Sequence, residues 1–117
     1  MNSTQIQANL GAMEDHAAPV PNACLSVNLA ALGANHAELL RRAAGAKLAP
    51  VVKADGYGHG LVTAAQAALS GGATWLAVAL VEEGIALREA GVAAPVLVLS
   101  EPPVAAAAAL FAHDLTP

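Results

Sequence analysis

The chain has 117 residues, a formal net charge of −4, 56% hydrophobic residues and only 3% aromatics. That length suits one modest domain, with a core built from alanine, leucine and valine. The acidic balance without a basic stripe argues against nucleic-acid binding, the single cysteine, Cys24, excludes an internal disulfide, and no apolar run approaches the roughly 18 residues of a membrane span.

Residues 1–22 are rich in Asn, Ser, Thr and Gln and end in Pro19 and Pro21, which predicts a flexible tail. No basic stretch precedes an apolar one there, so the segment does not read as a secretory signal. Glu14, Asp15 and His16 have the chemistry of metal ligands, but three adjacent residues rarely converge on one ion. A solvated tail is the stronger reading, and no metal site is expected.

Residues 23–29 alternate loosely and predict a short strand. Asn28 is placed to cap a following helix whose apolar stripe is Leu32, His36, Leu39, Leu40 and Ala43. Arg41 and Arg42 suit the dipole at its C-terminal end, and Gly45 suits its stop.

Residues 48–52 form an apolar run rich in β-branched side chains, a buried strand with Lys53 at its end. Three glycines then alternate with Asp55, Tyr57 and His59, and a helical pattern runs over 61–69 to Gly71 and Gly72. A lysine at the mouth of an apolar strand is partly desolvated, which disfavours the ammonium and favours a nucleophilic amine. Glycines admit close approach of a ligand to the backbone, and a helix start offers free N–H groups to an anion. An amine beside such a cradle suits an aldehyde that carries a phosphate, pyridoxal phosphate above all, with Tyr57 able to donate its hydroxyl to that phosphate. Spacing alone leaves open a plain end-of-strand charge before a glycine loop.

Residues 74–80 predict the next strand, and Glu82 and Glu83 open the next helix, where acids complement the dipole better than they suggest a catalytic pair. Arg88 lies near that helix's end. Residues 96–99 form a further strand, Pro102 and Pro103 start an alanine-rich helix, and residues 115–117 approach a fourth strand. His113 and Asp114 lack an accompanying nucleophile motif and are set aside. Three times a helix stop, a short turn and an apolar strand recur, which predicts repeated βα units and a parallel sheet with Lys53 and Leu99 at one end.

The segment Val51-Val52-Lys53-Ala54-Asp55-Gly56-Tyr57-Gly58-His59-Gly60 resembles the cofactor-lysine signature of alanine racemases, V-V-K-A-[ND]-A-Y-G-H-G, departing only at Gly56. The resemblance extends over about residues 23–117. It implies an α/β fold: a partial (β/α)8 TIM-type barrel, about the first three βα units with one preceding strand and helix. A complete barrel of this type takes roughly 250 residues, so the resemblance implies the N-terminal part of a larger enzyme. It implies pyridoxal 5'-phosphate as cofactor, Lys53 as the Schiff-base lysine and a catalytic base, and Tyr57 as the phosphate's hydrogen-bond donor. Val51 and Leu99 match apolar positions of the cofactor pocket, and His59 matches a residue that supports the loop. The implied reaction interconverts L- and D-alanine for peptidoglycan, in a cytoplasmic homodimer with no membrane or nucleic-acid partner. A second catalytic tyrosine and the cofactor-binding arginines have no match here, so these 117 residues alone are expected to be inactive. The alternatives are a broad-specificity or serine-type racemase, a non-catalytic pyridoxal-phosphate-binding barrel, and a phosphate-binding module in which Lys53 is only a charge.

Overall fold

Asn28 starts the first helix as its chemistry predicts: it stands in extended backbone, and its Oδ1 accepts from the Ala31 N–H at 2.9 Å. Helix α1 then spans Leu29–Arg42 in the computed structural model, which describes residues 23–117. Leu32 packs against the core, but Leu39 of the expected stripe is 53% exposed. Along the outer face Glu38 pairs with Arg41 at 2.8 Å and with Arg42 at 2.7 Å. The tail and metal readings made for residues 1–22 lie outside the described residues.

The strand expected over 23–29 does not form. Residues 23–28 have no regular structure and Leu25 is exposed. A strand needs a neighbour to take up its N–H and C=O groups, and among the described residues nothing pairs with this one. The strand expected over 48–53 shrinks to one parallel bridge, Val51 with Ala77. Val52 N donates to Ala77 O at 2.8 Å and Ala77 N to Pro50 O at 2.9 Å. Pro50 has no N–H to offer a ladder, and this segment is the edge of the sheet, so pairing goes no further.

The remaining strands follow the expected order. Strand β1 (Leu76–Val78) pairs with β2 (Val96–Val98), and β2 pairs with β3 (Leu115–Thr116), all parallel. The crossovers are helices: α3 (Leu61–Ser70) before β1, α4 (Val81–Glu89) before β2, and a 3-10 turn at Val104–Ala106 running into α5 (Ala107–Ala112) before β3. This is a βα succession with its first strand reduced to a bridge.

Alternation along the strands places the core on one side. Val52, Leu76, Val78, Val96, Val98 and Leu115 are buried together with Ala64, Ala65 and Ala68 of α3 and Leu87 of α4. Small side chains on α3 let the helices come close. A Cβ on Gly71 would collide with the Gly33 carbonyl of α1, so α1 lies directly against the end of α3. On the other face of the sheet, Val51, Ala77, Leu97 and Thr116 stand in one cross-strand line.

Candidate functional site

Lys53 leaves the sheet at the C-terminal end of the Val51 bridge and starts α2 (Lys53–Gly58), which is a left-handed turn. Ala54, Asp55, Gly56 and Tyr57 have φ of 50°, 54°, 61° and 54° with ψ between 34° and 54°. Each non-glycine residue in that region costs about 1–2 kcal/mol, so the segment holds its shape only through bonds made to it. Gly56 N donates to Val52 O at 2.8 Å, and Gly60 N donates to Asp55 O at 2.8 Å. Asp55 Oδ1 accepts from Leu61 N at 2.8 Å and so supplies the start of α3 with an acceptor from within the turn. His59 Nδ1 donates to Gly56 O at 3.0 Å, the loop-supporting part expected of it. The glycine loop expected from the sequence is therefore an ordered left-handed turn.

The Ala54 N–H points out of the turn and is taken up from another element. Glu83 Oε1 accepts it at 2.7 Å, while Glu83 Oε2 accepts from Ala79 N at 2.9 Å and Leu80 N at 3.0 Å. Burial pushes the Glu83 carboxyl up, but the N–H groups of Ala54, Leu80 and Ala79 and the nearby charge of Lys53 outweigh that and hold it below the usual carboxylate range. Sequence reasoning read Glu83 as an acid that favours the helix dipole. Its position three residues after Leu80, where a capping carboxylate belongs, was the available signal, but only the fold shows that it also reaches the residue after Lys53.

The other expected site residues fall around the same end of the sheet. Val51 is level with Ala77, and Ala77 with Leu97, so Lys53 and Leu99 each stand two residues beyond one cross-sheet line. Leu99 N donates to Val78 O at 2.8 Å, and its side chain is 52% exposed. Lys53 is half-buried, and the Tyr57 side chain projects from the turn, 59% exposed. A cleft of about 190 Å³ runs between α1 and the turn and is lined by His36, Val51, Gly56, Tyr57 and His59; Lys53 is not among its lining residues. Among the described residues no cluster of His, Cys, Asp and Glu could hold a metal ion.

Lys53 thus stands half-buried at the carboxyl end of a parallel sheet, and the braced turn that follows it carries Tyr57. The family model for the alanine racemase N-terminal domain matches residues 27–117. This chain belongs to the alanine racemase family. The alanine racemase of Thermobifida fusca is 56% identical over 77 residues, which are 66% of this chain and 21% of that one. The crystal structure of alanine racemase from E. faecalis superposes with a TM-score of 0.73 and 46% identity, covering 76% of this chain and 24% of that one. A histidine racemase from Leuconostoc mesenteroides superposes with a TM-score of 0.67 at 23% identity, a likeness of fold alone. The chain thus spans between a fifth and a quarter of the length of these alanine racemases, and its parallel sheet corresponds to the N-terminal part of their barrel domain. No helix among the described residues is long and apolar enough to cross a membrane.

Proposed function

We propose that these residues are the lysine-bearing part of a pyridoxal-phosphate-dependent alanine racemase. The observation that carries the proposal is the placement of Lys53: a half-buried primary amine at the C-terminal end of a parallel sheet, at the first residue of a braced left-handed turn. The residues present fit a phosphorylated aldehyde. Val51 and Leu99 offer exposed apolar surface, and Tyr57 offers an exposed phenol.

When bound, pyridoxal phosphate supplies an aldehyde for an amine and a ring that draws electrons from the substrate Cα. Lys53 would hold the cofactor covalently and, once displaced by the substrate amine, would move a proton at Cα on one face. Tyr57 would donate its hydroxyl to the phosphate, and Val51 and Leu99 would exclude water from the ring. Racemization needs a proton donor on the opposite face as well. Tyr57 is the one tyrosine in the 117 residues, so the proposal includes that these residues alone do not racemize alanine. The homodimer, the D-alanine product serving peptidoglycan and the cytoplasmic site of action belong to the same proposal.

Borohydride reduction of the chain with pyridoxal phosphate, followed by peptide mapping, tests the central role. The sequence has two lysines, Lys47 and Lys53, so exposed Lys47 is an internal control. The adduct should map to Lys53 at low cofactor. Equal labelling of both lysines would contradict the proposal.

A further inference from the structure

We infer that Glu83 is a positioning residue for Lys53: its carboxylate fixes the peptide bond that follows the lysine and so sets where the amine stands. The inference rests on the cofactor reading above and goes beyond it. Helix α4 needs only a local acceptor at its start, and Glu83 Oε2 provides it with bonds of 2.9 and 3.0 Å to Ala79 N and Leu80 N. The other oxygen is not needed for capping. It reaches 29 residues back along the chain and accepts the Ala54 N–H at 2.7 Å. Ala54 is the first residue of the turn in the left-handed region, and its N–H has no partner within the turn. One carboxylate therefore ties the end of β1 to the main chain beside Lys53.

The bond has a directional consequence. The Lys53 side chain hangs from the backbone between the Val51 bridge and the Ala54 amide. The bridge fixes one side of Lys53 and Glu83 fixes the other. Among the described residues the ion pairs are those of Glu38, so Glu83 acts on Lys53 through the main chain and through its charge at a distance. Glu82, next in sequence, is exposed and makes no such bond among the described residues, which makes it the natural control.

The test compares Glu83→Gln, Glu83→Ala and Glu82→Gln in the full chain by amide hydrogen exchange and by borohydride trapping. Glutamine keeps one acceptor oxygen but cannot serve both elements. Glu83→Gln should speed exchange at Ala54 at least tenfold and leave the Val78 and Val98 amides protected. It should also lower labelling of Lys53 at limiting pyridoxal phosphate by about tenfold, the cost of a displaced reacting group. Glu82→Gln should change neither. Trapping in Glu83→Gln equal to wild type would overturn the positioning role, and unchanged Ala54 exchange would overturn the bond on which it rests. If Glu83→Ala loses protection throughout the sheet, the decision falls on Glu83→Gln, which keeps an acceptor for α4. If wild type carries no adduct on Lys53, the cofactor reading fails, and exchange at Ala54 alone decides whether Glu83 holds the turn.

Discussion

At the scale of single residues, the chain spends conformational energy on the turn after Lys53 and recovers it through named bonds. Gly60 closes the turn with φ of 87°, and a Cβ there would stand 2.5 Å from Thr63 Oγ1. Gly60→Ala should destabilise the chain by about 1–2 kcal/mol, from the positive φ and the crowding together, measured as a lower urea midpoint. Glu83 makes the turn sensitive to acid. Its carboxyl is held below the value of 4.5 that an unperturbed glutamate shows, so the carboxylate form is favoured by the folded state. Its contribution is complete above that value and is lost as pH falls through the lower folded value. Protection of the Ala54 amide should accordingly hold at neutral pH and collapse only in acid, and Glu83→Gln should remove that dependence. The family was legible in residues 51–60 because Lys, Tyr and His stand in fixed register. The left-handed path was not, because Ala54, Asp55 and Tyr57 carry side chains that disfavour it. The reach of Glu83 was not legible either, since no local pattern links residues 29 apart.

At the scale of elements, two contacts decide how the βα units lock together. Gly71 allows α1 to lie against α3, and Gly71→Ala should force the helices apart at a cost of about 1–3 kcal/mol, measured by thermal unfolding. Arg88 of α4 holds the turns at the opposite end of the sheet. Its guanidinium donates to Val92 O and Ala94 O at 2.8 Å, Asp114 O at 2.9 Å and His113 O at 3.0 Å. Lysine keeps the charge but not the planar fork. Arg88→Lys should therefore cost about 2 kcal/mol, or about 8–16 °C in Tm, without moving the site. The helices were legible from caps and periodicity: Asn28 does begin α1, and Gly45 and Gly71 follow helix ends. Strand lengths were less so. Apolar residues over 48–52 mark a strand whether or not a neighbour exists, whereas the ladder depends on what pairs with it and on Pro50. His113 and Asp114, set aside as chemistry, serve through their backbone carbonyls, which side-chain reasoning does not see.

At the scale of the molecule, the sheet is covered by helices on one side, and the end that bears Lys53 is open. Leu80 and Leu99 are 54% and 52% exposed there, and Val104 and Phe111 are 94% and 88% exposed on the last crossover. Exposed apolar surface and unpaired strand edges favour association. Sedimentation velocity should show the chain's average mass rising with concentration; a monomer over a wide concentration range would contradict this. The recurrence of βα units made the parallel arrangement legible, because crossovers of that length allow little else.

The account turns on whether Lys53, braced by the turn and by Glu83, is a cofactor lysine. A visible absorption titration of the purified chain with pyridoxal phosphate, run beside Lys53→Ala, tests this most directly. We expect a saturable band of the lysine-bound cofactor in wild type and none in Lys53→Ala. No band in wild type, or the same band in both proteins, would contradict the assignment.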